Sequence, residues 1–364
     1  MTAATDRRAA TSRDTTNAFA SGSLPAWSPW VILGASLGAV AAVFGLIAAA
    51  TGETFSIIGT VFFGFLASTI VIVLISRLVE GSRQATNRLV TSLVVLAFVI
   101  ALLPLISLVF TVVSNGTNRF DIEFFTYSMR NVVGEGGGAI HAIVGTLLMT
   151  GTATVISVPI GLLAAIYLVE YGTGRLARAI TFFVDVMTGI PSIVAGLFAY
   201  AVFTALFGPG ERLGIAGAIA LTVLMVPVVV RSSEEMLRLV PNELREASLA
   251  LGVPKWLTIV NVVLPTSIAG ITTGVMLAIA RVIGETAPLL VAAGFTQNLN
   301  YDLTEGRMQS LPVFVYSSYV AQGTDAQSYL DRAWAGALTL ILIVMLLNLI
   351  ARLVARQFAP KLGR

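Results

Sequence analysis

Runs of roughly 20 or more mostly apolar residues recur eight times along this chain, at 30–50, 56–78, 89–113, 139–168, 178–207, 213–230, 264–295 and 333–354. A bilayer core is crossed by about 20 such residues in a helix. Because lipid cannot hydrate a backbone, the spans must be helices rather than open strands, and no ten-residue alternation of the kind a barrel needs is present. Composition agrees. Apolar residues make up 56% and charged residues 11%, with a mean hydropathy of +0.89, against about 25% charged in a soluble chain. The fold class is all-α: a polytopic helix bundle integral to a membrane.

The basic residues give the orientation. Of 22 Lys and Arg, 20 are Arg, and the lysines are Lys255 and Lys361. With the N-terminus inside, 16 basic residues fall on the cytoplasmic side, from Arg7 to Arg364. Five, Arg119, Arg130, Arg212, Arg307 and Arg332, fall opposite, and Arg281 lies within a span. The positive-inside rule then sets both termini in the cytoplasm of a multi-pass plasma-membrane protein. Residues 1–28 read as a disordered polar tail, 29–88 as two N-terminal spans, 89–356 as a six-span domain and 357–364 as a second tail. A signal-peptide reading, with Ala48-Ala49-Ala50 as the cleavage site, is disfavoured because the apolar run is too long for an h-region.

Several chemistries are excluded. No cysteine means no disulfide, iron–sulfur cluster or thiolate metal site. The single His141 leaves no His-rich metal or haem site and almost no room for Ser/His catalysis; it reads as a packed histidine. No basic patch interleaved with aromatics points to nucleic acid. Gly134–Gly138 reads as a flexible entry to the next span, and Leu311-Pro312-Val313-Phe314-Val315-Tyr316 as an interfacial docking or anchoring element. No catalytic residue and no metal site are assigned.

The segment 231–263 is the longest between spans on the cytoplasmic side. Ser232-Ser233-Glu234-Glu235 carries the S-x-x-E pattern of a capping box, predicting a new helix there. Pro241 opens a second helix over 242–251, Gly252 supplies a left-handed cap, and Pro254 opens a third. Four acidic against four basic residues argue against a helix lying on lipid headgroups. Glu246-Ala247-Ser248, three residues, Gly252, nine residues and Val262-Val263-Leu264-Pro265 resemble the EAA loop of ABC-importer permeases. The resemblance implies a coupling loop, with Arg245, Glu246, Ala247, Ser248 and Gly252 at its centre, that inserts into a cytoplasmic ATPase.

Two intramembrane charge clusters stand out. Arg281 lies about 17 residues past Leu264, roughly 25 Å along a helix, and Glu285 follows four residues later, so one continuous helix would put both on one face. Arg presents a planar fork to an oxyanion. Glu accepts the O–H of phosphate and repels sulfate, which has none, so the pair reads as a filter working partly by repulsion. Asp185, with Arg178 as its nearest partner in sequence, precedes Thr188-Gly189-Ile190-Pro191-Ser192, where Gly-x-Pro invites a kink; Thr188 and Ser192 are candidates for lining a path.

The runs 241–252, 255–260, 270–281, Gly284-Glu285-Thr286-Ala287-Pro288-Leu289-Leu290 and 188–198 are similar to the A-type permease family of phosphate-specific ABC importers. That resemblance covers about residues 89–356 and implies the type I ABC-importer permease fold, with Arg281, Glu285 and Thr286 on the substrate path. It further implies a homologous C-type permease, two ATPase subunits, an extracytoplasmic phosphate-binding protein and phosphate as cargo. Neither lysine stands in a Walker A pattern, so ATP is expected on the partner and no cofactor in this chain. A permease for another oxyanion, an ion-coupled secondary transporter, which would carry an inverted repeat, and a structural scaffold are the competing readings.

Overall fold

A computed structural model describes residues 24–52, 54–323 and 325–358; the readings on residues 1–23 and 359–364 lie outside the described residues. The chain divides into two compact units, Met1–Ser107 and Leu108–Arg364.

In the first unit, α1 (Ser28–Thr51) packs on α2 (Ile57–Val79), and α3 (Ser82–Gly116) begins. Large apolar side chains on all three stay exposed, Ile58, Leu78 and Phe98 among them, as lipid-facing residues do. The α2–α3 turn is held by Glu80. Its carboxylate accepts from Ser76 Oγ at 2.6 Å, the Leu24 amide at 2.8 Å, and Arg88 through Nε at 2.7 Å and a terminal guanidinium nitrogen at 2.8 Å. These donors pull the carboxyl from its usual 4.5 to about 2, the Arg88 hydrogen bond contributing most.

The second unit continues with the short α4 (Ile122–Thr126), α5 (Ile140–Ile166), α6 (Arg175–Gly189), α7 (Ser192–Phe207), α8 (Gly214–Arg238), α9 (Asn242–Ala250), α10 (Lys255–Thr258), α11 (Leu264–Val282), α12 (Ala287–Ala292), α13 (Leu311–Val320) and α14 (Ala326–Phe358). Wide π turns, Tyr167–Tyr171 and Ile259–Val263, follow α5 and α10. At the centre is α8, the most buried of the spans, packed on α5, α6, α7, α11 and α12. Its Leu221, Met225 and Val229 meet Met149 and Ala153 of α5 and Ala278 and Val282 of α11 in the main core. Small residues set the spacing: a Cβ on Gly274 of α11 would lie 2.5 Å from Ser232 Cβ, the close approach that membrane helices use in place of hydrophobic collapse.

Among the described residues seven helices are long and apolar enough to cross a membrane, and the pair α6–α7, bent by 108°, stands where the sequence reads one span over 178–207. Pro191 lacks the N–H that a continuous helix would donate to Met187, and Ile190 before it is extended (φ −72°, ψ 129°). The span read over 264–295 is likewise broken. α11 ends at Val282 and α12 starts at Ala287, with Pro288 in the opening turn of α12, where its missing N–H is not needed.

Two further readings are corrected. The glycines 134–138 are pinned: the Gly134 and Gly136 carbonyls accept from buried Arg332 at 2.7 and 2.9 Å, and the Gly137 amide donates to Glu123 at 3.1 Å. The 311–316 element is not simply interfacial. Leu311 to Phe314 are buried, and the Leu311 amide donates to Thr146 Oγ1 at 2.7 Å, leaving Tyr316 and Tyr319 outside. His141 is buried edge-on to Phe314, ring centres 5.6 Å apart, as a packed histidine.

Candidate functional site

The 231–263 segment is a built structure. No helix starts at Ser232: α8 runs unbroken to Arg238, and the Ser232 hydroxyl donates back to Val228 O at 2.8 Å. The S-x-x-E pattern fails as a capping box because residues 228–231 are already helical, so no free amides await a cap. Glu234, buried, instead accepts from Arg231 at 2.9 Å and Arg238 at 2.6 Å. Arg231 also pairs with Asp185 of α6; Arg178, the partner expected from sequence, turns to the Gly174 carbonyl of its own helix.

Beyond α8, Pro241 precedes α9, and Gly252 ends that turn at φ +81°, a conformation glycine adopts without strain. Arg245 fastens the loop. Its guanidinium bonds Glu170 at 3.0 Å and caps the end of α8 through the Leu237 carbonyl at 2.9 Å and the Val240 carbonyl. Ser248 shares a buried hydrogen bond with Thr258 at 2.9 Å, joining α9 to α10. Lys255 bonds the Glu170 carbonyl and lies over the Tyr171 ring, 4.7 Å from its centre. The loop is thus seated on the turn after α5, an anchorage that sequence reasoning missed because Glu170 stands 75 residues from Arg245. Glu246 and Ala247 face outward, and with Leu244 and Leu251, 42% and 84% exposed, Ala247 forms an apolar stripe at helical spacing.

The second cluster lies at the two helix breaks. Arg281 occupies the last turn of α11 with its side chain exposed, while Glu285 and Thr286, half-buried, lie in the non-helical link. The two charges therefore do not share a helix face, and no ion pair joins them among the described residues. The α6–α7 break comes to the same place. A Cβ on Gly196 would lie 2.5 Å from Pro288 Cα, so the first turns of α7, beginning at Ser192, pack on the start of α12. Thr188 and Ser192 flank the bend on different helices, and Thr188 spends its hydroxyl on the Val184 carbonyl at 2.8 Å. The two broken spans are thus joined through α7 and the start of α12.

Comparison with known proteins is decisive. Residues 157–364 match the family model "Binding-protein-dependent transport system inner membrane component". The chain is 47% identical over 275 residues to the phosphate transport system permease protein PstA 1 of Mycobacterium tuberculosis, covering 75% of this chain and 88% of that protein. It belongs to the PstA family of ABC-transporter permeases. Other PstA relatives include those of Mycobacterium leprae, 46% identical over 278 residues and covering 75% and 90%, and of Pasteurella multocida, 40% identical over 272 residues and covering 74% and 95%. In fold, this permease is like a chain of the bacterial alginate ABC transporter crystallised with a pentasaccharide-bound periplasmic protein. The TM-score is 0.53, the identity 13%, and the match spans 78% of this chain and 99% of that one. PstA relatives are named as transport permeases, and this chain is a membrane transport component rather than an enzyme.

Proposed function

We propose that this permease carries inorganic phosphate inward as one half of an ATP-driven importer, paired with a homologous C-type permease. Two copies of a separate ATPase bind and split ATP, an extracytoplasmic binding protein delivers phosphate, both termini lie in the cytoplasm, and this chain holds no cofactor. The observation that carries the reading is Arg281: a guanidinium at the end of an apolar helix, exposed, and in no ion pair among the described residues. Insertion of such a charge costs about 2.5–3.5 kcal/mol. An arginine without an ion-pair partner among the described residues, at a helix break, suits a water-lined path, where irregular backbone is tolerated.

Each residue then has a step. Arg281 draws the oxyanion by charge-assisted hydrogen bonds. Glu285, half-buried one turn beyond the helix end, accepts an O–H from phosphate and repels the fully deprotonated sulfate. Thr286 adds a hydroxyl beside the same link. Power enters at the other end. The stripe Leu244–Ala247–Leu251 seats in the ATPase, and Arg245, Ser248 and Gly252 keep α9 rigid against α8. Because α8 is continuous, a push on the loop travels about 37 Å along one rod into the core.

The test is anion uptake by the reconstituted transporter. Wild type is expected to take up phosphate and exclude sulfate, while Glu285→Gln admits sulfate as a competitor. A wild-type complex that moves no phosphate would overturn the reading, and a Glu285→Gln variant that still excludes sulfate would remove Glu285 as the filter.

A further inference from the structure

At the end of the bundle away from the 231–263 loop, the connection between α12 and α13 meets the start of α8: the Ile215 amide donates to the Leu303 carbonyl at 2.7 Å. Here a cavity of about 560 Å³ is lined by Arg130, Asn131, Phe295, Thr296, Gln297, Asn298 and Arg307. Its polar lining is two guanidiniums, three amides and a hydroxyl, with no carboxylate. Neither arginine is in an ion pair among the described residues, and Glu135, Asp302 and Glu305, the acids nearest to them in sequence, pair with neither. A third arginine stands behind. Gly294 has φ +77°, and a Cβ there would lie 2.9 Å from Arg212 Cδ and 3.4 Å from Arg307 Cδ. Two cationic stems thus converge on one glycine, with Arg212 braced 5.7 Å above the Tyr200 ring.

The neighbouring cavity shows what an internally balanced site looks like. It also holds two arginines, Arg119 and Arg332, but with Asp121, Glu123, Glu135 and Asp331, and Arg119 is paired with Asp121 and Glu123. Like charges gathered without a counter-charge raise the local potential and concentrate anions. The positively lined cavity lies beside the proposed path: Phe295 follows Glu285 by ten residues, separated by α12, a helix about 9 Å long.

We propose that Arg130 and Arg307, backed by Arg212, form an oxyanion-capture site that receives the incoming anion before it reaches the Thr286–Glu285–Arg281 level. This rests on the phosphate-import reading for its cargo. The geometry adds a property of its own: with cations and no carboxylate lining it, nothing there repels sulfate, so selection against sulfate falls to Glu285 further in.

The test is equilibrium binding of radiolabelled inorganic phosphate to the full-length chain in lipid nanodiscs at low ionic strength. Loss of two charge-assisted contacts in Arg130→Gln/Arg307→Gln is expected to weaken phosphate binding about tenfold or more. Arg130→Lys/Arg307→Lys is expected to keep most of the affinity, and sulfate to compete with phosphate on wild type. Arg119→Gln, which removes a neighbouring but paired charge, is expected to bind as wild type. Both glutamine sites are exposed, and unchanged monodispersity and helix content check the fold. Wild-type protein that binds no phosphate overturns the site, as does a double glutamine variant that binds normally. The site is equally overturned if that variant loses only the association of the binding protein with the assembled transporter. Uptake in that transporter is read separately: wild-type failure to move phosphate overturns the import reading, whereas normal uptake with unaltered binding in the double variant overturns only the capture site.

Discussion

Arg281 and Glu285 owe their independence to the end of a helix. α11 stops at Val282 and α12, with Pro288 in its opening turn, starts only at Ala287, so two charges that four-residue spacing would have stacked are released from each other. Glu80 is the opposite case, a carboxylate saturated by Arg88, Ser76 and Leu24. Its folded pKa, about 2, lies below the ordinary 4.5. A depressed carboxylate contributes stability that is fully present above the unfolded value and disappears as pH falls through the folded one. Thermal melts of Glu80→Gln in detergent should therefore show a Tm below wild type at neutral pH. The gap should close between about pH 4.5 and pH 2. A gap that stays constant across that window would mean that the Glu80 charge does not hold the turn.

Helices meet at their breaks, and that is where an element-scale test bites. Gly196→Val puts a branched side chain where a single Cβ already lies 2.5 Å from the Pro288 backbone. Overpacking of this kind costs about 1–3 kcal/mol. The variant should melt lower than wild type and lose uptake together with stability; unchanged melting would deny the α7–α12 contact. The same elements mark what sequence alone reveals. Apolar length was enough to find the spans, and local turn chemistry was enough to place α9, Gly252 and the helix opened by Pro254. Gly-Ile-Pro and Gly-Glu-Thr-Ala-Pro advertise breaks, but the residues on either side stay apolar, so each run reads as one span until the backbone is seen. Ser232 misled because a capping box and mid-helix S-x-x-E have the same letters; only the upstream helix tells them apart. Pairings such as Arg231–Asp185 and Arg245–Glu170 join residues on different elements, and no spacing rule reaches them.

At the scale of the molecule, one continuous helix joins two ends with different chemistry. The loop end offers an apolar stripe seated on Arg245 and Lys255; the far end offers arginines in no ion pair among the described residues; between them α8 is the most buried span and Arg281 sits at the end of α11. In the proposed reading energy comes from outside the chain and the chain supplies the road. In the first unit, Glu80 ties the α2–α3 turn to Leu24. The measurement that bears most directly on all this is Arg281→Gln in the reconstituted transporter, with phosphate uptake and ATP hydrolysis followed in the same vesicles. Uptake is expected to fall by about tenfold or more while the complex still assembles and hydrolyses ATP. Uptake at the wild-type rate would show that phosphate crosses without this guanidinium.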